Sequence, residues 1–474
     1  MQRATPHHSD RARSAQGLLL ELDLRPGQLR RSLTEALRRA IQDGRLIATT
    51  RLPSSRLLAA DLGVSRGVVS DAYEQLVSEG YLETAPRSAP TVASVVAPPS
   101  APGEPDAPSW TFDFRATTPD LGLFPRRAWL RAVDQALRMA PDLALDYGDN
   151  RGRIELREAL SRYLGRVRGV RVDPGRMVIT QGFTQALDLL CRVLADRGAT
   201  TVAIESPSHP ELWSTIRRSG LRLVGCPVDA DGLRTDALRD LVADAVVVAP
   251  AHQYPTGGVM TAARRVELVR WAAMRGRLVI EDDYDAEFRY DRKPIGAIQG
   301  LNPSRVAHIG TASKTLVPAM RLGWASLPAD LVEAVQAEKT IADSGSPAID
   351  QLAMSNLLST GLYERQVVRA RHEYQRRRDL LVRALSHNFS GFEVLGAAAG
   401  MQLLLRLPRG LDDVAIAAAA ASNGIGIRAL SPLHLVPSSD RGLLLGYGRL
   451  PEGRIDQAVS ALRSVIGAAR SRRD

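Results

Sequence analysis

Cysteine is nearly absent: Cys191 and Cys226 are the only two in 474 residues, with no C-x-x-C spacing and no clustered histidines. That argues against a disulfide framework and against a zinc site, and both residues read as small buried apolar groups. Long apolar runs are missing too, because charged residues interrupt each one well short of the roughly 18 residues that a spanning helix needs. The first residues, with Arg3, His7, His8, Asp10, Arg11 and Arg13 ahead of Leu18, lack the apolar stretch of a secretory leader, so the expected compartment is the cytoplasm. Lysine is the scarcest charge: Lys293, Lys314 and Lys339 stand against 59 arginines. Where arginine supplies the general positive charge, each lysine asks for its own explanation.

What is present is ordinary for folded protein, 45% apolar and 24% charged, at a length that predicts two or three domains. The net charge of +10 suits an acidic partner such as nucleic acid. Seven prolines crowd the stretch from Ala85 to Ser109, which reads as a semi-extended linker and divides the chain into expected domains at 17–84 and 110–468 with a linker at 85–109. Ahead of it, Leu29 to Ile41 has apolar residues at helical spacing, Ser54 and Ser65 are placed to cap two further helices, and Gly63 and Gly80 to end them. Val68, Val69, Ala72, Leu76 and Val77 form the expected inner side of the third. Two short helices joined by a glycine turn make a helix-turn-helix, with Tyr81 to Val92 as a β-wing. Beyond the linker, β-branched runs alternate with amphipathic stretches. Strands are expected at Met177–Thr180, Thr201–Ile204, Leu221–Val224, Ala245–Ala249, Leu278–Glu281 and Val306–Ile309, a largely parallel sheet with helices on both faces. Runs near Met401–Leu405, Gly426–Ala429 and Leu443–Leu445 suggest a small C-terminal α+β lobe.

In a helix-turn-helix the third helix enters the major groove, and arginine, serine and free backbone amides near the helix starts meet phosphates and base edges. Arg51, Ser54, Ser55 and Arg56 open the second helix; Ser65, Arg66 and Gly67 open the third. These are the candidate DNA-contacting residues. With Asp43-Gly44-Arg45-Leu46, Arg51-Leu52-Pro53-Ser54-Ser55-Arg56, Leu62-Gly63-Val64-Ser65-Arg66 and Ala72-Tyr73-Glu74-Gln75-Leu76, the stretch Leu29 to Val92 resembles the winged-helix domain of the GntR regulators. It departs from that pattern in having Ala48-Thr49 where Pro-Gly is usual and Arg87-Ser88-Ala89-Pro90 in place of a glycine-rich wing.

Lys314 lies in Gly310-Thr311-Ala312-Ser313-Lys314-Thr315, directly after an expected strand. An amine at a strand's carboxyl end among small hydroxyl residues such as Thr311 fits a Schiff-base lysine beside a phosphate. Asp282 ends another strand, where a carboxylate can keep a pyridine nitrogen protonated, and Tyr284 can reach the ring's phenolic oxygen. Gln181-Gly182-Phe183-Thr184-Gln185 joins a strand to a helix and offers amides to a phosphate; Arg321 offers a guanidinium. From Phe112 to Ile466 these motifs, with Tyr147-Gly148-Asp149, Glu205-Ser206-Pro207-Ser208-His209-Pro210 and His252-Gln253-Tyr254-Pro255-Thr256-Gly257, resemble the fold-type I aminotransferases. The order of domains resembles the MocR subfamily, a GntR head followed by such a domain, including its vitamin B6 biosynthesis regulators.

The resemblance implies pyridoxal 5'-phosphate as cofactor, with Lys314 carrying the internal aldimine, Asp282 on the pyridine nitrogen, and Tyr284 and Tyr254 near the phenolic oxygen. By the same resemblance Gly182, Phe183, Thr184, Ser313 and Arg321 bind the phosphate, and His209 takes the ring-stacking place. An effector carboxylate is left to Arg428 or Arg441, since Glu211 has the wrong sign for that role. The expected protein is a homodimeric regulator that binds double-stranded DNA and senses either the cofactor alone or an amino compound forming an external aldimine with it; Glu211 favours the former. An active aminotransferase with a DNA-binding head and a cofactor-free scaffold are the alternatives.

Overall fold

The computed structural model describes residues 13–14, 21–22, 28–84, 88–93, 110–290 and 295–471. Lys293, Arg87 and most of the 85–109 stretch lie outside the described residues. The chain divides into two compact units, residues 1–108 and 109–474.

In the first unit, α1 (Leu29–Gln42), α2 (Ser55–Leu62) and α3 (Arg66–Ser78) form the three-helix body. Leu33, Leu37 and Ala40 meet Leu58 and Leu62 of α2 and Val69, Ala72 and Leu76 of α3 in one core. Ser54 and Ser65 cap α2 and α3 by accepting from the amides of Leu57 and Val68. Gly63, at φ +62°, turns the chain between them. The inner side of α3 differs from the expected one: Val68 and Val77 are only partly buried, and Tyr73 goes inside because its hydroxyl donates to Pro53 O at 3.0 Å. Leu82–Glu83 pairs antiparallel with Thr91–Val92, and Val92 is buried in the head's core. The head therefore takes in residues whose proline content placed them in the linker. Pro90 is tolerated there because only its carbonyl is used, accepting from Leu52 N–H. Thr49 adopts φ +67°, the conformation that glycine would hold without strain.

The second unit is built on an eight-stranded sheet of β1 (Met177–Thr180), β2 (Thr201–Ser206), β3 (Arg222–Asp229), β4 (Gly232–Leu233), β5 (Ala245–Val248), β6 (Leu278–Asp283), β7 (Val306–Thr311) and β8 (Gly323–Ser326), in the order β1-β8-β7-β6-β5-β2-β3-β4. The run from β7 to β3 is parallel, whereas β8 is antiparallel to both its neighbours. Alternate residues serve opposite faces: Val247 and Ile280 pack with Leu187 and Leu190 of the helix Phe183–Asp196, and Val246 and Val279 with Leu268 and Trp271 of Ala262–Met274. Such two-sided burial is why these strands read as continuous apolar runs. The C-terminal lobe is a four-stranded antiparallel sheet backed by the helices Leu362–Asn388 and Ile455–Ser471. The run expected at Gly426–Ala429 is split there. Ile425–Gly426 pairs with Phe112–Asp113 at the domain's start, and Arg428–Ala429 joins the lobe's sheet.

Candidate functional site

The parallel strands end together on one edge, where a crevice in an open α/β sheet takes ligands. A cavity of about 270 Å³ opens there, and every residue singled out as a cofactor contact lines it. Lys314, just past β7, donates from Nζ to Thr117 O at 2.8 Å. Burial lowers its pKa, with Asp285 and Asp282 pulling the other way, so more of the amine is neutral and nucleophilic than in water. Opposite, near the end of β6, the Asp282 carboxyl oxygen Oδ1 is shut from solvent with no hydrogen-bond partner among the described residues. Burial first, then the neighbouring Asp283 and Asp285, pushes its pKa well above the carboxylate range. A buried acid without a partner is costly unless a ligand supplies one.

Tyr284 reaches the same floor, its hydroxyl 3.0 Å from His252 Nδ1, which donates to Asp285 Oδ2 at 2.9 Å. His252 is held flush against Gly400, where an added Cβ would stand 1.9 Å from the ring. At the other end Gly182, at φ +106°, precedes the helix Phe183–Asp196, whose first residues, Phe183 and Thr184, line the cavity with amides that have no acceptor within the helix. Arg321, itself left-handed at φ +48°, has no ion-pair partner among the described residues, and Gly323 is glycine because its backbone touches that of Gly182: a Cβ on Gly323 would lie 2.7 Å from Gly182 Cα. Thr311 Oγ1 donates to Ser313 Oγ at 3.0 Å beside them. This end is braced from behind by Lys339, fully buried and paired with Asp343, which accepts from Gln185, whose own Oε1 accepts the Gln181 N–H.

At the mouth, His209 lies 5.2 Å from the Tyr254 ring with the planes 31° apart. Of the two arginines left open for a carboxylate, Arg428 reaches this rim, its Nη1 3.5 Å from His209 Nε2 and 3.4 Å from the Tyr254 hydroxyl. Arg441 instead donates to Ser438 O and Asp440 O. Of the lining residues that the sequence does not single out, Thr117 and Glu205 bear on the chemistry. Thr117 comes from a distant segment and offers only its carbonyl, which no side-chain pattern reveals. Glu205 stood out only as part of a motif; its Oε2 accepts from Ala249 N–H, its Oε1 has no partner among the described residues, and burial pushes its pKa up to about 7.

A buried amine between an unpartnered acid and an anion cradle matches the aldehyde, ring nitrogen and phosphate of pyridoxal 5'-phosphate in one cavity. In the head, Arg51, Ser54, Arg56, Ser65, Arg66 and Gly67 are exposed and Ser55 half-buried. Arg66 Nε donates to Ser55 Oγ at 3.4 Å, so the starts of α2 and α3 form one basic, amide-rich face.

Residues 29–92 match the family model of bacterial regulatory proteins of the gntR family, and residues 119–461 that of aminotransferase class I and II. The probable rhizopine catabolism regulatory protein MocR of Rhizobium meliloti is 30% identical over 471 residues, 94% of each chain. The chain belongs to the MocR-type GntR regulators. A second member, the pyridoxine biosynthesis transcriptional regulator PdxR of Corynebacterium glutamicum, is 30% identical over 93% of this chain and 96% of its own. Among solved structures, the α-aminoadipate aminotransferase LysN of Thermus thermophilus, complexed with N-(5'-phosphopyridoxyl)-L-leucine, superposes with a TM-score of 0.69 at 25% identity, over 76% of this chain and 93% of that one. Membership in this family implies pyridoxal 5'-phosphate as the cofactor. Among the described residues no helix is long and apolar enough to cross a membrane.

Proposed function

We propose that this MocR-type regulator works in the cytoplasm, grips DNA through the starts of α2 and α3, and holds pyridoxal 5'-phosphate in the cavity over β6 and β7. Occupancy by the cofactor, or by an amino compound joined to it, sets the DNA affinity, through differential affinity for two arrangements of the paired heads. The observation that carries this reading is the single cavity in which Lys314, Asp282 and the Gly182–Arg321 cradle converge.

When bound, the cofactor supplies an aldehyde that amines capture and a ring that draws electrons from the captured amine. Lys314, part-neutral through burial, is the amine that holds it. Asp282 faces the ring nitrogen, where a proton gives the buried carboxyl the partner it lacks. The amides of Phe183 and Thr184, with Gly182, Thr311, Ser313 and Arg321, hold the phosphate; Tyr284 and Tyr254 flank the ring, and His209 covers its face. In the head, Arg51, Arg56 and Arg66 neutralise phosphates, and Ser54, Ser55, Ser65 and Gly67 bring hydroxyls and amides to the backbone. A transaminase with a DNA-binding head is less favoured, because relatives of full length carry regulator names.

Leu130, Met139, Leu143, Leu145 and Tyr147 are exposed close together in sequence, Tyr147 to 91%. A second copy of the chain covers exposed apolar side chains of this stretch in the proposed homodimer, which pairs two heads for two half-sites. Reduction of the pyridoxal-phosphate-loaded protein with borohydride, followed by peptide mass analysis, tests the cofactor reading. The phosphopyridoxyl mass belongs on the peptide carrying Lys314, and its absence there refutes the assignment.

A further inference from the structure

Among the described residues Glu211 is the one carboxylate at the open end of the cavity. It occupies the first turn of the helix Pro210–Arg218, with its side chain 77% exposed and Oε2 3.6 Å from His209 Nδ1. That contact is no hydrogen bond, for His209 Nδ1 is buried without a partner among the described residues. On the other side of the same imidazole, Arg428 points Nη1 at Nε2. A guanidinium only donates, so Nε2 accepts and Nδ1 carries the single proton of a neutral ring. Burial and the Arg428 charge both favour that neutral form, against the pull of Glu211. His209 therefore leaves the Glu211 charge uncompensated.

Arg428 has no carboxylate within ion-pair reach among the described residues, and Glu211 has no arginine or lysine. The rim thus presents an unpaired anion and an unpaired cation on the two sides of one ring, above a buried amine. Glu211 also acts on the interior, where its charge raises the proton affinity of Lys314 and of Tyr254. An amine whose primary nitrogen is captured in the cavity would hold its remaining groups at this rim. A carboxylate there pairs with Arg428; what pairs with Glu211 must be positive.

We propose that the Glu211 carboxylate is a specificity site for a second cationic group, so that the amino compounds this regulator binds best are diamino acids, whose carboxylate meets Arg428 and whose distal ammonium meets Glu211. This rests on the cofactor-dependent reading above. The bland alternative is that Glu211 merely complements the dipole of its own helix, a role that would give it no ligand preference.

The test uses full-length protein loaded with pyridoxal 5'-phosphate, with Lys314 occupancy equalised between samples as measured by borohydride trapping of parallel aliquots that are not used for binding. The dissociation constants of L-ornithine, L-norvaline and L-glutamate are read from the change in absorbance of the bound cofactor. L-Ornithine is expected to bind about tenfold more tightly than uncharged L-norvaline, the worth of one charge-assisted hydrogen bond at an exposed site. In Glu211→Gln the two converge, and in Glu211→Arg the order shifts toward L-glutamate. Equal affinities in the unaltered protein, preference for L-glutamate there, no response to any of the three, or a preference that survives Glu211→Gln would each overturn the proposal. A protein that retains no trappable cofactor at Lys314 would instead overturn the reading beneath it, and the two failures are told apart by the adduct alone.

Discussion

Replacing Asp282 with Asn separates the cost of the cavity from its use. In the cofactor-free protein Oδ1 of this half-buried side chain is shut from solvent with no hydrogen-bond partner among the described residues, and its pKa is pushed well above the ordinary range, first by burial and then by Asp283 and Asp285. A carboxyl that is harder to ionise folded than unfolded makes the fold's stability fall with pH. Below about pH 4 both states are protonated and nothing is lost; above it only the unfolded chain ionises, until the folded group titrates. Within that window the native protein loses about 1.4 kcal/mol per pH unit relative to Asp282→Asn, which does not ionise at all. For a domain of this size that corresponds to roughly 2 °C in Tm per kcal/mol. Calorimetry of cofactor-free protein from pH 5 to 8 is expected to show Asp282→Asn gaining on the native protein as pH rises. Saturating pyridoxal phosphate is expected to stabilise the native protein more than the variant, because only the acid pairs with a protonated ring nitrogen. A pH-independent difference, or equal stabilisation of both by the cofactor, would refute the assignment of this acid.

Other perturbations test separate parts of the account. Lys339→Met strips Asp343 of its buried partner and loosens the Gln185–Gln181 brace; a stability loss of about 3 kcal/mol in urea and weaker cofactor retention on dialysis are expected. Gly400→Ala combines a left-handed φ of +81° with a Cβ driven into His252, so a loss of about 3 kcal/mol is expected by the same measurement. Arg66→Ala should weaken DNA binding across sequences and lower the slope of log affinity against log salt by about 1, read by fluorescence anisotropy. Leu143→Glu should yield monomer in sedimentation if the exposed apolar stretch is the contact between copies.

The head and the sheet were legible because their signals are local. Ser54 and Ser65 cap the helices expected from them, and the runs beginning at Met177, Ala245, Leu278 and Val306 are strands because both their faces are covered. The strand Gly323–Ser326 was not legible: Gly-Trp-Ala-Ser has no β-branched run, and its glycine is required by contact with Gly182, a residue over 140 positions away. The end of the head was obscured by proline, which marks a linker by composition yet sits at a strand's edge without loss. Lys314 stood out as a rare lysine just past a strand, and Asp282 as a carboxylate at the carboxyl end of another. Thr117 did not, since its part is played by a carbonyl. The choice between Arg428 and Arg441 needed the fold, for only the path of the lobe's sheet decides which of them faces His209.

In the proposed function, capture of the cofactor at Lys314 is felt at the DNA-binding face. Its most direct test is a titration of the DNA flanking the protein's own gene with native and Lys314→Ala protein, each with and without pyridoxal 5'-phosphate at fixed salt. The account predicts that the cofactor changes the dissociation constant of the native protein and leaves that of Lys314→Ala unmoved. An equal shift in both, or none in native protein shown to carry the adduct, would contradict it.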